Sequence, residues 1–168
     1  MRNKVTKLKL FISQPMHRLD TENIQNQRKW MYELITIILS KDLKKPSYDF
    51  KLINQFDRKD PKNFDKTHPS ERSQRIYRLG RSIRLMADAN LVVFYGDWKY
   101  SKGCLIEREV CEEYCIPYLD NEDIIKFCKE NMDRNPKIES LFESLYPNEY
   151  DNCFETVNPF NDNEDDDK

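Results

Sequence analysis

The segment from Leu91 to Glu107 constrains the fold of this chain more than any other. It begins with the uninterrupted apolar run Leu91-Val92-Val93-Phe94-Tyr95, which is typical of a central parallel strand covered on both faces. Two of the three glycines in the chain, Gly96 and Gly103, bracket the polar loop that follows. Glycine permits a close ligand approach that other residues resist. A strand, such a loop and a helix that opens with an acid predict a ligand site at the edge of an α/β sheet.

Strands alternate with helices along the chain. Apolar runs predict strands over residues 7–12, 48–53, 91–95 and 116–119. Apolar residues at helical spacing predict helices over residues 21–40, 71–88, 103–114, 121–132 and 136–145. Asp20 or Thr21 can cap the first of these helices. The alternation predicts a parallel sheet with helices packed against it.

Two helices carry apolar stripes that we expect to face the sheet. The first helix has a stripe made of Ile24, Met31, Leu34, Ile35 and Ile38. The second helix has a stripe made of Ile76, Leu79, Ile83 and Met86. Gly80 lies on the second stripe, where a glycine would let the helix approach the sheet closely. Residues 54–70 are polar and contain two prolines, which predicts a long surface loop.

The length and charge of the chain favour one globular domain with a small-molecule ligand. A chain of 168 residues is large enough to bury a real core. We expect this domain over residues 1–146 and an irregular acidic tail over 147–168, because the last eight residues hold five acids and one lysine. The rest of the chain is nearly neutral, which gives no strong case for nucleic-acid binding.

Cysteine and histidine usage argues against a metal site and for the cytoplasm. The five cysteines show no CxxC spacing, and His17 and His68 are the two histidines, so a zinc site is not expected. We expect reduced thiols, as in the cytoplasm. No apolar run approaches the ~18 residues of a membrane span. The polar N-terminal segment does not predict a secretory signal.

Glu107 is the candidate catalytic residue. It is expected in the first turn or so of its helix, where the positive end of the helix dipole stabilises a carboxylate. A carboxylate beside a crevice at a strand end can act as a nucleophile on a sugar carbon. The alternative is that Glu107 serves only helix stability, as acidic residues commonly do in first turns.

The loop before this helix offers groups for a phosphate and a base. Ser101 and Lys102 precede the helix start, where a hydroxyl, an ammonium and free N–H groups can hold a phosphate, with Lys99 able to assist. The alternative is a polar turn. Trp98 and Tyr100 can stack on a base, or can pack the loop onto the sheet.

The residues after the first strand are expected at the same edge of the sheet. Gln14 can bond a sugar or a base, and Met16 can form a wall against a flat ligand, beside Ser13 and His17. His17 by itself is more typical of a surface residue than of a catalyst. Asp88 and Asp97 are further candidates to orient a sugar hydroxyl.

Four motifs form one pattern by their order and spacing. They are Phe11-Ile12-Ser13-Gln14-Pro15-Met16, Leu79-Gly80-Arg81-Ser82-Ile83, Gly96-Asp97-Trp98 and Gly103-Cys104-Leu105-Ile106-Glu107. Together they resemble a family of small bacterial and phage proteins related to the nucleoside 2-deoxyribosyltransferases. The resemblance covers residues 7–120.

The resemblance implies a flavodoxin-like three-layer sandwich, with a mostly parallel sheet of four to five strands. It implies cleavage or transfer of the N-glycosidic bond of a (deoxy)nucleoside or its 5′-monophosphate, with no metal or organic cofactor. Glu107 matches the nucleophile of the family, four positions after Gly103, and Ser101 matches a serine that holds the 5′-phosphate. Family sites are often completed by a neighbouring subunit, which implies a homodimer or a larger homo-oligomer.

Three departures from the family pattern leave a second function open. Ser82 stands in place of an acid that takes part in proton transfer to the leaving base, and Asn90 replaces a second acid. The segment from Ser13 to Met16 replaces a turn of the Gly-Ser type. The missing acid at position 82 favours a non-catalytic module that binds a nucleotide or a nucleotide-derived signal. A structural or interaction role is a third alternative, which the charged helix faces allow but do not favour.

Overall fold

A parallel sheet forms the centre of the fold in a computed structural model that describes residues 7–15, 20–40, 49–53 and 60–153. Within this part of the chain the strands are β1 (Lys7–Ser13), β2 (Asp49–Leu52), β3 (Leu91–Phe94) and β4 (Tyr118–Leu119). They pair in the order β2-β1-β3-β4, and all three pairings are parallel. The predicted flavodoxin-like α/β fold is therefore confirmed.

Helices cover both faces of the sheet. The described helices are α1 (Thr21–Ile38), α2 (Phe64–Thr67), α3 (Glu71–Met86), α4 (Lys102–Glu113), α5 (Asn121–Asn131), α6 (Pro136–Leu145) and α7 (Pro147–Asn152). Because successive side chains of a strand point to opposite faces, Ile12 and Val93 join the core formed with α1, α5 and α6. Phe11 and Val92 join the core on the other face, with α3 and α4. The sheet is thus the middle layer of three.

The first helix follows its sequence prediction closely. The Asp20 side chain caps α1 by accepting a hydrogen bond from the Asn23 N–H at 2.8 Å. Four residues of its predicted stripe are buried, namely Ile24, Met31, Leu34 and Ile35. The predicted helices over 121–132 and 136–145 are also present as α5 and α6.

The predicted surface loop over residues 54–70 contains a short helix. Phe64 opens α2 and is 5% exposed. Its ring stacks on His68 with the centroids 4.6 Å apart, and lies 5.1 Å from the ring of Tyr77 in α3. One aromatic side chain in a polar segment therefore anchors it to α3. Residues 54–59 of this loop lie outside the described part of the chain.

The prediction of irregular structure from residue 147 onward is wrong for the first six residues. Pro147 opens α7, a position at which its fixed backbone angle suits a helix. Tyr150 packs edge-on against Phe142 of α6 and donates a hydrogen bond to Glu139 at 3.0 Å. These contacts pack α7 against α6. The acidic residues over 161–168 lie outside the described part of the chain.

The expected close approach of Gly80 to the sheet is also wrong. A Cβ atom placed on Gly80 would meet no atom within 4 Å. Met86 is the buried residue of α3, whereas Ile76 is 63% exposed. The stripe of α3 instead meets the edge of α4, where Leu79 lies 3.9 Å from the position of a Cβ atom on Gly103. The N-terminal half of α3 therefore leaves apolar surface uncovered.

None of the helices in the described ranges combines the length and the apolar character that crossing a membrane requires.

Replacing Gly80 by alanine should stabilise the protein. Glycine in a helix interior costs about 0.5–1 kcal/mol relative to alanine, and the added methyl group would meet no atom here. We expect the free energy of unfolding of Gly80→Ala to rise by about this amount in a urea titration. Gly96→Ala is the control, because Gly96 has φ +70°, a conformation that alanine disfavours, and it should lose stability. A loss of stability in Gly80→Ala would contradict the open space around this position.

Candidate functional site

The buried polar side chains of the described residues mark one place in the fold. They are Ser13, Gln14, Arg28 and Glu107, each at most 8% exposed. Ser13 ends β1, Gln14 follows it, and Glu107 contacts Ser13. Burial of polar groups is unfavourable unless they bond one another or serve a function. Their clustering at the carboxyl ends of the strands therefore identifies the candidate site.

The sheet topology explains why the site forms here. Ser13 of β1 is in register with Phe94 of β3, so both strands end at the same level. Helix α1 leaves β1 toward one face of the sheet, whereas α4 follows β3 on the opposite face. A crevice opens between two strands whose connections diverge in this way, and ligands of doubly wound sheets bind there. Gly96 has φ +70° and lies against Pro15, which brings the loops after the two strands together.

Glu107 is held by hydroxyl groups from two elements. Its side chain is 6% exposed. The Ser13 hydroxyl donates to Oε2 at 2.5 Å, and the Ser82 hydroxyl of α3 donates to Oε1. Each carboxylate oxygen has more than one lone pair, so each keeps an acceptor direction for another group. The carboxylate is fixed in orientation and still able to react.

Burial dominates the electrostatics of Glu107. Loss of solvent raises the pKa of the Glu107 carboxyl above its ordinary value, while the Ser13 and Ser82 hydroxyls and the Arg28 charge lower it. The sequence analysis expected the α4 dipole to stabilise the Glu107 carboxylate, and the structure corrects this expectation. Glu107 lies in the second turn of α4, which begins at Lys102, and the dipole acts mainly within the first turn.

Arg28 is a site residue that the sequence analysis did not find. It extends from α1, and its Nη2 atom donates to the Ile12 carbonyl oxygen at 2.6 Å. Burial lowers the pKa of the Arg28 guanidinium to about 10, and the charge of Glu107 opposes that shift. One sequence signal was available, because Arg28 lies at helical spacing between Ile24 and Met31 on the buried face of α1.

Gln14 offers a second buried polar group at this edge. Its Nε2 atom donates to Oε1 of Gln27 in α1 at 2.5 Å. Its own Oε1 atom is buried and has no hydrogen-bond partner among the described residues. A buried acceptor of this kind gains a bond when a ligand hydroxyl or amine enters. The predicted role of Gln14 as a sugar or base contact thus has a suitable group in place.

The proposed phosphate groups have local partners. Ser101 caps α4, and its hydroxyl accepts from the Cys104 N–H at 3.4 Å. Lys102 is exposed at the helix start, and Gly103 is half-buried beside Leu79. Lys99 forms an ion pair with Glu122 at 2.6 Å, away from the cap. Phosphate binding by Ser101, Lys102 and Gly103 stays a prediction.

The aromatic residues of the loop take different environments. Trp98 is 6% exposed and packs on Phe94 with the ring centroids 5.2 Å apart, which favours its packing role. Tyr100 is 90% exposed. Asp97 is exposed as well. Base stacking by Trp98 and sugar contact by Asp97 stay predictions.

Several candidate residues do not join this cluster. Met16 and His17 lie outside the described part of the chain. Asn90 precedes β3 at the opposite edge of the sheet and accepts a hydrogen bond from the Lys9 N–H at 2.8 Å. Asp88 lies at that edge too, 3.9 Å from the Lys9 ammonium. Asn90 therefore connects β1 to β3, and its replacement of a family acid does not alter the Glu107 environment.

The described residues contain no group of three or more His, Cys, Asp or Glu side chains placed to hold a metal ion. The chain has no significant match among protein-family models, curated proteins or solved structures. Function therefore has to be argued from the site itself and from the motif resemblance.

The raised pKa of Glu107 predicts a pH-dependent stability. The folded protein holds the Glu107 proton more tightly than the unfolded chain, whose carboxyl has a pKa near 4.5. The contribution of this group to the free energy of unfolding is thus full below pH 4.5 and is lost as the pH rises through the folded pKa. We expect the Tm of the wild type minus that of Glu107→Gln to fall from acid to neutral pH.

The matched control is Glu109→Gln, which removes an exposed carboxyl group from the same helix. Its Tm should follow that of the wild type at every pH. A difference between wild type and Glu107→Gln that grows with pH would contradict the raised pKa.

Proposed function

We propose that the protein cleaves or transfers the N-glycosidic bond of a (deoxy)nucleoside or its 5′-monophosphate, with Glu107 as the nucleophile. The observation that carries this proposal is the buried Glu107 carboxylate at the strand ends, with each oxygen held by one serine hydroxyl. A carboxylate fixed in this way can attack a sugar carbon without losing orientational freedom at that step.

The reaction would proceed by two displacements at C1′. One oxygen of ionised Glu107 forms a bond to C1′, while the C1′–N bond breaks and its electron pair leaves with the base. The base takes a proton from a solvent water molecule. Water or a second base then attacks C1′, and the Glu107 carboxylate is released. Retention of configuration follows from the two displacements.

Ser82 shapes this chemistry because it stands where the related family has an acid. A second carboxylate beside Glu107 would repel its charge and raise its pKa. The Ser82 hydroxyl donates to Glu107 instead. The Ser82 hydroxyl therefore stabilises the ionised nucleophile. Unlike a carboxyl group, it cannot act as the general acid that protonates the leaving base.

The substrate contacts are assigned by position and by resemblance. We propose that Gln14 and Asp97 bond the sugar, that Met16 and Trp98 lie near the base, and that Ser101 holds a 5′-phosphate. Lys102, Gly103 and the first N–H groups of α4 would assist at the phosphate, because a helix N-terminus favours an anion. The cytoplasm suits this role, and its supporting feature is that all five cysteines are free.

A nucleotide-binding module is the second candidate function. It is favoured by the serine at position 82, where the resemblance implies an acid that takes part in proton transfer to the leaving base. Such a module would hold a nucleotide in the same crevice and release no base.

The decisive experiment incubates the protein with nucleosides, ribo- and deoxynucleoside monophosphates and NAD. Free base is measured by liquid chromatography, with a second free base added in parallel to detect exchange. We expect base release or exchange by the wild type and a loss of about a thousandfold or more in Glu107→Gln. The control variant Glu109→Gln should keep the wild-type rate, because its side chain is exposed on the same helix.

Equal rates in Glu107→Gln and the wild type would overturn the role of Glu107. No product in any reaction, together with a nucleotide-dependent rise in Tm, would favour the binding module.

We also propose a homo-oligomer, as the resemblance implies. The supporting feature is apolar surface on two neighbouring helices, where Ile76 of α3 is 63% exposed and Ile106 of α4 is 40% exposed. Interaction sites commonly bury large apolar side chains that are exposed in the isolated chain.

Substitution of Ile76 by lysine should dissociate this oligomer. A charge at a buried apolar contact is unfavourable, so light scattering after size exclusion should show a lower mass for Ile76→Lys than for the wild type. Tyr114→Lys, at a residue 76% exposed near the end of α4, serves as the control. A monomeric wild type, or an Ile76→Lys variant with the wild-type mass, would contradict the proposed interface.

A further inference from the structure

We propose that Arg28 is a positioning residue for Glu107, because its buried guanidinium is the counter-charge that keeps the carboxylate ionised at the end of β1. The predicted effect of Arg28 on turnover rests on the proposed function, whereas its predicted effect on the charge state of Glu107 does not.

Among the described residues, Arg28 and Glu107 are the buried side chains that can carry a full charge, at 4% and 6% exposure. Their charges are opposite. Charged side chains are rarely fully buried unless they are paired, because each loses several kcal/mol of hydration. Two opposite charges buried at one edge of a sheet are expected to compensate each other.

Arg28 and Glu107 are also linked through the end of β1. Arg28 donates to the carbonyl of Ile12 at 2.6 Å. The next residue, Ser13, donates its hydroxyl to Glu107 at 2.5 Å. The guanidinium and the carboxylate thus bind consecutive residues of one strand. Arg28 reaches this point from α1 on one face, and Glu107 reaches it from α4 on the other.

The other groups that face Glu107 are neutral. Ser13 of β1 and Ser82 of α3 contribute neutral hydroxyls. Cys104 and Cys111 lie on the same helix, and burial raises the pKa of both thiols, that of Cys111 to about 11, so they are neutral near pH 7.

The neighbouring cation on α4 is engaged elsewhere. Arg108 lies 3.5 Å above the ring of Tyr118 and forms an ion pair with Glu112. Arg28 is therefore the cation that acts on Glu107 among the described residues.

Arg28 would therefore control the nucleophilicity of Glu107. Serine hydroxyls can orient a carboxyl group, but a protonated carboxyl is a poor nucleophile. An opposite charge nearby commonly lowers a carboxyl pKa by about 1–3. Without Arg28, burial would act against two hydroxyls alone, and the ionised fraction of Glu107 at neutral pH would fall.

The test compares Arg28→Met with Lys29→Met, which removes the same charge from the adjacent, exposed position of α1. The protein is labelled with [δ-¹³C]glutamate, and Glu107 is assigned by the signal lost in Glu107→Gln. We expect the apparent pKa of Glu107 to rise by about 1 or more in Arg28→Met and to stay unchanged in Lys29→Met. Arg28→Lys should give a smaller rise, because it keeps the charge and loses the forked geometry.

A double variant guards against failure to fold. If Arg28→Met leaves an uncompensated buried anion, Arg28→Met with Glu107→Gln should recover much of the Tm lost in Arg28→Met alone. If the single variant is insoluble, a soluble and folded double variant supports the charge pair in the same way. An unchanged Glu107 pKa in Arg28→Met would overturn the proposal, as would a double variant with additive losses, which would assign Arg28 only to its Ile12 contact.

Turnover supplies a separate readout. If the protein releases base, the acid limb of its pH–rate profile should move to higher pH in Arg28→Met and not in Lys29→Met. An acid limb that stays in place would count against Arg28. If no substrate is found, the proposed activity fails, whereas the NMR titration and the Tm comparison still decide the role of Arg28.

Discussion

The burial of one carboxylate at the ends of two parallel strands is the interaction on which the rest of this structure depends. A carboxylate taken out of water is costly unless hydrogen bonds and an opposite charge offset the loss. Here the offset comes from Ser13 of β1, Ser82 of α3 and Arg28 of α1, which surround Glu107 of α4. Four elements must therefore be in place before the site exists. The alternation of strands and helices that builds the sheet is also what brings these four residues to one edge.

The same arrangement limits what the protein can do. An oriented, buried carboxylate lies at the same strand ends as Gln14, whose Oε1 atom has no hydrogen-bond partner among the described residues. This arrangement is suited to a polar ligand that presents both a reactive carbon and a hydrogen-bond donor. The nucleoside that we propose as the ligand meets this requirement. Ser82 distinguishes this chain from a site with two acids. The Ser82 hydroxyl favours the anionic form of Glu107, but it is a weaker proton donor than a carboxyl group. In the proposed reaction, the chain therefore contributes least to the protonation of the leaving base.

Much of this fold was predictable because local patterns and tertiary structure agree. The apolar run at β3, the Asp20 cap of α1 and the position of Glu107 after Gly103 each follow from nearby residues alone. The errors occurred where packing decides. Gly80 lies on an apolar stripe, but α3 turns that stripe toward α4, and only the structure gives the direction. Arg28 was missed because arginine is typically solvated on helices, although its spacing placed it on the buried face of α1. The α7 helix depends on Tyr150, whose contacts with α6 are not visible as local periodicity.

The position of Glu107 and Arg28 on opposite sides of the sheet has a mechanical consequence. The two layers of helices are separated by the strands. At the carboxyl ends of the strands, the opposite charges of Arg28 and Glu107, each bonded to one of two consecutive residues of β1, provide an electrostatic connection between the layers. Any process that neutralises the carboxylate, including the formation of an ester on it, removes that connection while the guanidinium remains buried. A covalent intermediate on Glu107 would therefore be held by a looser protein than the free site, and the return of the carboxylate would restore cohesion between the layers.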